Sequence, residues 1–523
     1  MRNQSVPKPS PFISAILIAI FIASTGCSTD SESYDFILTI EIIPEGAGTT
    51  DPLPGGFDEG ENLRLRAIPA ENYLFDRWEG DLTTEANPAD LTMNSDKTIT
   101  AIFKREPLTM GGDGSQANPY QIYTIDDLVA IGLENNLDKH FIQVADIDAS
   151  ASAEFQNGSG FRHIGTQQAP FTGSYNGNGY NIIDLKINFN KFDKHIGLFG
   201  YIKEATLENI YVDNSSQLAD LQPDHPSIYN FTLNQINEIS SNEIDIFESS
   251  SAGGLVGFNE DGIVQNSFFN GVVVLQSGHV AGLVGINTGI IEKSHFNGQA
   301  NNLGTTAGLV GINTGKVVDS SSGGRVSGQL AAGLVARNMG GEILQSSTTA
   351  TLHSGTAIGG LVFYNSGIIR SSFSKNNNIY DATGAIGGLV ARNEGEIIDS
   401  YSITELESFF DPNRDIFIGG LVGENLENGS IQTSIAAGYI LPLEQSNLAG
   451  LAGKNSGVLM NVYWDTDSTG QAIAVDEGNP EGATGLTTAQ MTGPAAEQNM
   501  PGFDWVNVWR TTEDGYPVLR WEE

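Results

Sequence analysis

Apolar positions in this chain come in runs of three to five, set off by glycine and asparagine, from about residue 196 to residue 463. Such runs are too short for helices and predict short strands joined by tight turns. Gly254-Leu255-Val256 is followed by Asn259, and the same motif starts again at Gly282, Gly308, Gly333, Gly360, Gly388, Gly420 and Gly450. The matching asparagines are Asn287, Asn313, Asn338, Asn365, Asn393, Asn425 and Asn455, and successive first glycines lie 28, 26, 25, 27, 28, 32 and 30 residues apart. That period predicts a solenoid, in which each unit buries its apolar face against its neighbours.

Each copy reads small residue, Gly-Leu-Val, two variable residues, Asn, then Gly, two mostly apolar residues and Ser, as in Ala281-Gly282-Leu283-Val284, Asn287, Gly289-Ile290-Ile291, Ser294. Asn and Gly tolerate positive φ, so their fixed offsets predict one sharp corner repeated in every coil. Stacked asparagines also predict a side-chain amide ladder. One active site has no use for eight copies, so the asparagines are read as structural.

These residues resemble the GLUG repeat of bacterial surface proteins, over about Ile196 to Tyr463, with Gly197-Leu198-Phe199-Gly200 as a divergent ninth copy. The resemblance implies an all-β fold, a right-handed β-solenoid (β-helix). Ala336, Ala391 and Phe363 replace the usual fourth glycine, and Phe363 implies a local adjustment. At about 4.8 Å per strand, nine coils make a rod on the order of 40 Å long.

Length variation singles out one edge. From the first Gly to the Ser the distance holds at 12 to 14 residues, whereas from that Ser to the next Gly it ranges from 13 (320 to 333) to 20 (400 to 420). An insertion from about Asn214 to Ser250 enters at the same place. Insertions in repeat arrays map to loops on one face, often the binding face. Tyr229, Phe247, Phe409 and Phe410 are therefore the candidate binding residues, the plainer alternative being that they pack the loops onto the rod.

The N-terminus carries Arg2 and Lys8, an apolar run from Phe12 to Ala23, then Ser24-Thr25-Gly26-Cys27. The run has the length of an export signal (residues 1–26) and is short for a bilayer span. Small residues before the one cysteine resemble a bacterial lipobox, which implies lipidation of Cys27, although Ser24 stands where Leu is usual. Ser28 in place of Asp favours the outer membrane by the same resemblance. The expected location is the bacterial cell envelope, lipid-anchored at the outer membrane and surface-exposed, after a short linker (27–34).

Residues 35–105 form a different unit, with strands predicted at Leu38–Ile43, Leu63–Ile68 and Lys97–Phe103, and with Phe75 and Trp78-Glu79-Gly80-Asp81 between them. It resembles the divergent internalin-type B repeat, a small all-β module. Phe75 and Trp78 are needed for its core before any sugar stacking. Residues 106–195 resemble the cap and opening coils that precede such arrays, with a short amphipathic helix from Ile125 to Gly132. Residues 464–523 hold Trp505, Trp509, Tyr516 and Trp521 and predict an aromatic cap, since an uncapped coil leaves strand edges unpaired.

With 63 acidic and 25 basic side chains the formal net charge is −38. No basic stripe exists for phosphate contacts, so nucleic acid is not an expected partner. The seven histidines form no His-Glu-x-x-His pair, and no Gly-x-Ser-x-Gly elbow or phosphate loop occurs. Arg337 and Arg392 share one repeat offset two coils apart. Asp465, Asp467, Thr469 and Asp476 have the ligand spacing of a calcium loop, without flanking helices, so Ca²⁺ is the one cofactor the spacing suggests against an ordinary exposed turn. The expectation is a non-enzymatic lipoprotein serving adhesion or polymer and matrix binding. Its partners would be the membrane through the lipid, and a glycan, matrix or neighbouring cell surface. The alternative is a polysaccharide-active lyase or hydrolase on a β-helix scaffold.

Overall fold

The structure, a computed structural model, describes residues 34–522 except 45, 71–72, 106–109, 188–193, 217–249, 276–277, 376–378, 381–383, 408–415 and 442–446. Cys27 and the export signal fall outside the described residues. The chain divides into two compact units, residues 1–108 and 109–523.

In the first unit, Phe36–Ile43 pairs in parallel with Lys97–Arg105, which pairs antiparallel with Tyr73–Gly80; Gly55–Phe57 closes the other edge. Gly48–Asp51, Asn62–Pro69 and Ala89–Thr92 make a separate antiparallel sheet. Alternation in Asn62–Pro69 turns Leu63, Leu65 and Ala67 inward, where they meet Leu38, Ile99 and Phe103. Trp78 is fully buried in this core, with the Phe75 ring 5.3 Å away. The Asn87 side chain serves as a strand partner, accepting from Ala67 N at 2.8 Å and donating to Ala67 O at 2.7 Å.

The second unit is a β-solenoid. Among the described residues three long parallel sheets of 22, 12 and 10 strands run along it. One coil shows the pattern: Thr305–Ala307, Val310–Asn313, Lys316–Val318 and Ser321–Ser322, each paired in register with its equivalents one coil before and after. The strand after each Ser and the strand before each Gly share the widest sheet, and the variable loops leave that side. Twelve strands in the second sheet, beginning with Tyr120–Ile122, give a length of about 55 Å. Leu255, Leu283, Leu309, Leu334, Leu361, Leu389, Leu421 and Leu451 stack inside with no exposure. Each contributes roughly 1.5–3 kcal/mol by burial.

The corners differ from the sequence expectation. None of the repeated asparagines has positive φ, and of the glycines just after them only Gly340 does, at 76°. Positive φ falls instead on the residue before each Ser, at Asn266, Lys293, Asp319, Gln345, Ser371, Asp399 and Thr433, with φ between 44° and 50°. There the backbone N–H still reaches the next coil, as from Lys293 to Val318 O at 3.0 Å, so the stacking register maintains a conformation that L-residues otherwise avoid. The first glycines are required by close approach: a Cβ on Gly282 would lie 2.2 Å from Gly308 O, and one on Gly308 2.1 Å from Gly333 O.

The amide ladder is continuous. Nδ2 of Asn259, Asn287, Asn313, Asn338, Asn365, Asn393 and Asn425 donates to Oδ1 of the next asparagine at 2.7–2.8 Å. A second ladder, which the sequence reading did not anticipate, is built by the serines. The N–H of Ser267, Ser294, Ser320, Ser346, Ser372 and Ser400 donates to the next serine's Oγ at 3.1–3.2 Å. Each such Oγ donates in turn to the carbonyl two residues back, closing the same corner in every coil.

Helix Ile125–Ile131 starts at Thr124, whose hydroxyl and the Asp127 carboxylate form a capping box. At the other end, Val475–Gly478 and Ala483–Leu486 extend two of the sheets. The C-terminal aromatics then pack along the side of the last coils, against the outward residues Phe373, Tyr401, Ile435 and Tyr463, instead of plugging the open end. Phe373 stacks on Tyr401 at 4.8 Å and on Trp521 at 5.5 Å. Glu522 accepts from the Tyr401 hydroxyl and from Lys375 Nζ, both at 2.8 Å.

Candidate functional site

Side chains with chemistry collect in a crease beside the Gly-Leu turns. The fourth glycine of each motif faces the strand that precedes the first glycine one coil back. A Cβ on Gly285 would meet Ser251 Cβ at 2.8 Å and Ala252 N at 3.0 Å. The outer sides of two strands thus fold toward each other. Phe363, in place of that glycine, is accommodated among Leu330, Ala357 and Ala385, and the strand carrying Leu330 has a register irregularity between Gly328 and Leu330. That irregularity and those small residues are the adjustment the sequence implied.

The next residue in each motif forms a column along the crease. In register it reads Tyr201, Phe258, Ile286, Ile312, Arg337, Tyr364, Arg392, Glu424, Lys454 and Glu477. Its first four members form a buried cluster joined by Met339. Tyr201 and Phe258 stack at 4.8 Å with 12° between planes, and His195 meets both edge-on. The Tyr201 hydroxyl donates to Glu260 at 2.9 Å, and burial pushes its ionisation above the ordinary tyrosine range.

Beyond Ile312 the column turns polar. Arg392 donates through Nε and Nη2 to Glu424 Oε1 at 3.0 and 2.9 Å, and Lys454 pairs with Glu477. The Tyr364 hydroxyl donates to Glu394, and burial with that bond pushes it up to about 12. Arg337 is only 7% exposed; its Cζ lies 5.4 Å from the Phe363 ring centroid, and Nε has no hydrogen-bond partner. Burial lowers the guanidinium's pKa. His279, across the crease, is held down at about 4 by burial and then by the charge of Arg337.

Tyr229, Phe247, Phe409 and Phe410 lie outside the described residues. The roots of their loops are described, and both open from the widest sheet. Beside one root, at Asn214, sits an apolar cavity of about 120 Å³ lined by Leu185, Ile187, Phe269, Val272 and Val273 among others.

Of the four residues with calcium-loop spacing, three are brought together and one is not. Asp465 is fully buried and caps the short helix Thr466–Thr469, Oδ1 accepting from Asp467 N at 2.8 Å and Ser468 N at 3.0 Å. Its Oδ2 accepts from Thr488 Oγ1 at 2.7 Å and the Tyr516 hydroxyl at 2.5 Å. Asp467 accepts from Thr488 N, and Thr469 Oγ1 donates to Asp465 O. Asp476 is exposed on Val475–Gly478. Among the described residues no three His, Cys, Asp or Glu side chains gather where they would hold a metal ion. Sequence reasoning had marked Arg337 and Arg392 but not Tyr364 between them, although it occupies the same offset from Gly360.

Residues 38–107 match the family model of the divergent InlB B-repeat domain. Halomucin of Haloquadratum walsbyi is 27% identical over 440 residues, covering 82% of this chain but 3% of halomucin. A provisionally named Gly-rich membrane protein of Evansella cellulosilytica is 35% identical over 106 residues, 19% of this chain and 11% of that protein. The chain thus spans a small part of either relative. The crystal structure of a proposed immunoglobulin A1 protease from Bacteroides ovatus aligns over 79% of this chain and 95% of that one, at 13% identity and a TM-score of 0.29, too low to transfer fold or activity.

Proposed function

We propose that this chain is a non-enzymatic protein of the bacterial cell surface that is tethered through lipid on Cys27 and holds an extracellular polymer along its solenoid. The observation that carries this reading is the use made of the recurring polar residues. The repeated Asn and Ser side chains are taken up by coil-to-coil hydrogen bonds, so the array is a scaffold whose large length variation is confined to loops on one side. A stack of coils with variable loops rooted on one side suits extended binding surfaces more than a single reaction centre. The B-repeat match and the two relatives, one of them named a membrane protein, agree with an envelope location.

Binding is tested with the chain from Ser28 onward on arrays of glycans and matrix proteins. Saturable retention without turnover is expected, whereas product release would favour a polysaccharide-active enzyme. Shortening the loops around 214–250 and 402–417 to the shortest coil length should abolish retention while preserving the circular dichroism of the solenoid. Cys27→Ser should release the protein from membranes, and retention of that variant with unchanged mass would remove the lipid anchor from the reading.

A further inference from the structure

Three cations stand in the polar part of the crease column, and two of them have carboxylate partners one coil away: Arg392 on Glu424 and Lys454 on Glu477. Among the described residues Arg337 has none, although acidic side chains outnumber basic ones 63 to 25 in the sequence. It is the most buried of the three, at 7% exposure, with Ile312 and Tyr364 as column neighbours and the Phe363 ring beside it. Tyr364 supplies no counter-charge, because its hydroxyl stays protonated and donates to Glu394. Across the crease His279 Nδ1 is also buried without a hydrogen-bond partner among the described residues. A desolvated guanidinium without a counter-charge is costly, and its planar fork is matched by a carboxylate.

We propose that Arg337 anchors an oxyanion subsite in the crease, which takes a single carboxylate of a ligand that is otherwise uncharged. A polyanion is disfavoured by the −38 net charge of the chain. A neutral glycan bearing one uronic acid meets both conditions. This deepens the polymer-binding reading and rests on it only for the source of the carboxylate.

The test is a calorimetric titration of the full chain with sodium glucuronate, sodium acetate and neutral methyl glucoside at constant ionic strength. Glucuronate and acetate should give saturable binding, and the neutral glucoside none of the carboxylate-dependent signal. Glucuronate binding tighter than acetate would assign the sugar ring a part, and equal binding would assign a site for the carboxylate alone; both support the subsite. Arg337→Lys should weaken binding about tenfold by losing the fork, Arg337→Met should abolish it, and Arg392→Gln should leave it unchanged. Without carboxylate, Arg337→Met should unfold at the same or a higher temperature than the parent, since it removes an unpaired buried charge. Carboxylate titrations that match chloride, undiminished binding by Arg337→Met or Arg337→Lys, or a lower unfolding temperature of folded Arg337→Met would each overturn the proposal. Because these probes are small, their failure leaves the array experiment standing, and failure on the arrays leaves the subsite standing.

Discussion

Replacing Asn365 with Ala probes whether the amide ladder holds the coils together. Asn365 is fully buried in the middle of the ladder. It accepts from Asn338 Nδ2 at 2.8 Å and donates to Asn393 Oδ1 at 2.8 Å, with a weaker bond to Gly367 O at 3.2 Å. Truncation removes two good hydrogen bonds, each worth about 1 kcal/mol net. Asn338 Nδ2 keeps Gly341 O at 2.9 Å, but Asn393 Oδ1 loses its ladder donor and is left buried, which costs about 1–3 kcal/mol more. The expected loss is therefore about 3–5 kcal/mol. Asn259 starts the ladder and receives no amide from the coil before, where Ile202 stands in register, but Asn259→Ala also leaves Asn287 Oδ1 without its donor and removes the 3.0 Å bond from Gly262 N, so it should cost about as much. Solenoids open locally, so native-state hydrogen exchange suits the question better than one melting temperature. The loss should appear in Val335–Asn338, Val362–Asn365 and Val390–Asn393, with exchange in 36–105 unchanged. A loss below about 0.5 kcal/mol for Asn365→Ala would refute the ladder as a source of stability.

Other perturbations address different parts of the fold. Gln345 sits at φ 47° with an exposed side chain, so Gln345→Gly should stabilise the coil by about 0.5–1 kcal/mol by relieving left-handed strain, less the entropy glycine adds to the unfolded chain; chemical denaturation reads the sign. Leu309→Asp puts a carboxylate where exposure is zero, and hydrogen exchange should show adjacent coils loosened by several kcal/mol; uniform protection would count against a stacked interior. His279, at about 4 in the folded chain, lies below its ordinary 6.5, so the folded chain binds fewer protons. Its contribution is fully present above pH 6.5 and is lost as pH falls toward 4, with a ceiling of about 3 kcal/mol. His279→Phe should flatten the stability profile in that window relative to the parent, and parallel profiles would show that His279 is not held neutral.

The sequence alone determined what every coil shares. A Gly-Leu-Val motif every 25 to 32 residues can bury its apolar side only by stacking, so the solenoid, its short strands and the asparagine ladder follow from periodicity. The B-repeat-like unit was equally legible, since alternation in Asn62–Pro69 and a buried Trp78 reflect local pattern and the size of a small core. Tertiary structure decided what depends on contacts between coils. Positive φ went to the variable residue before each Ser because the serine ladder and the coil-to-coil N–H bonds fix that corner whatever side chain occupies it. The C-terminal aromatics went to the side of the solenoid because Phe373, Tyr401, Ile435 and Tyr463, spaced a coil apart in sequence, make one apolar stripe only once stacked. Arg337, Tyr364 and Arg392 became a column for the same reason. Whether each has a partner is set by residues of the adjoining coils, and periodicity carries no information about a position that differs in every coil.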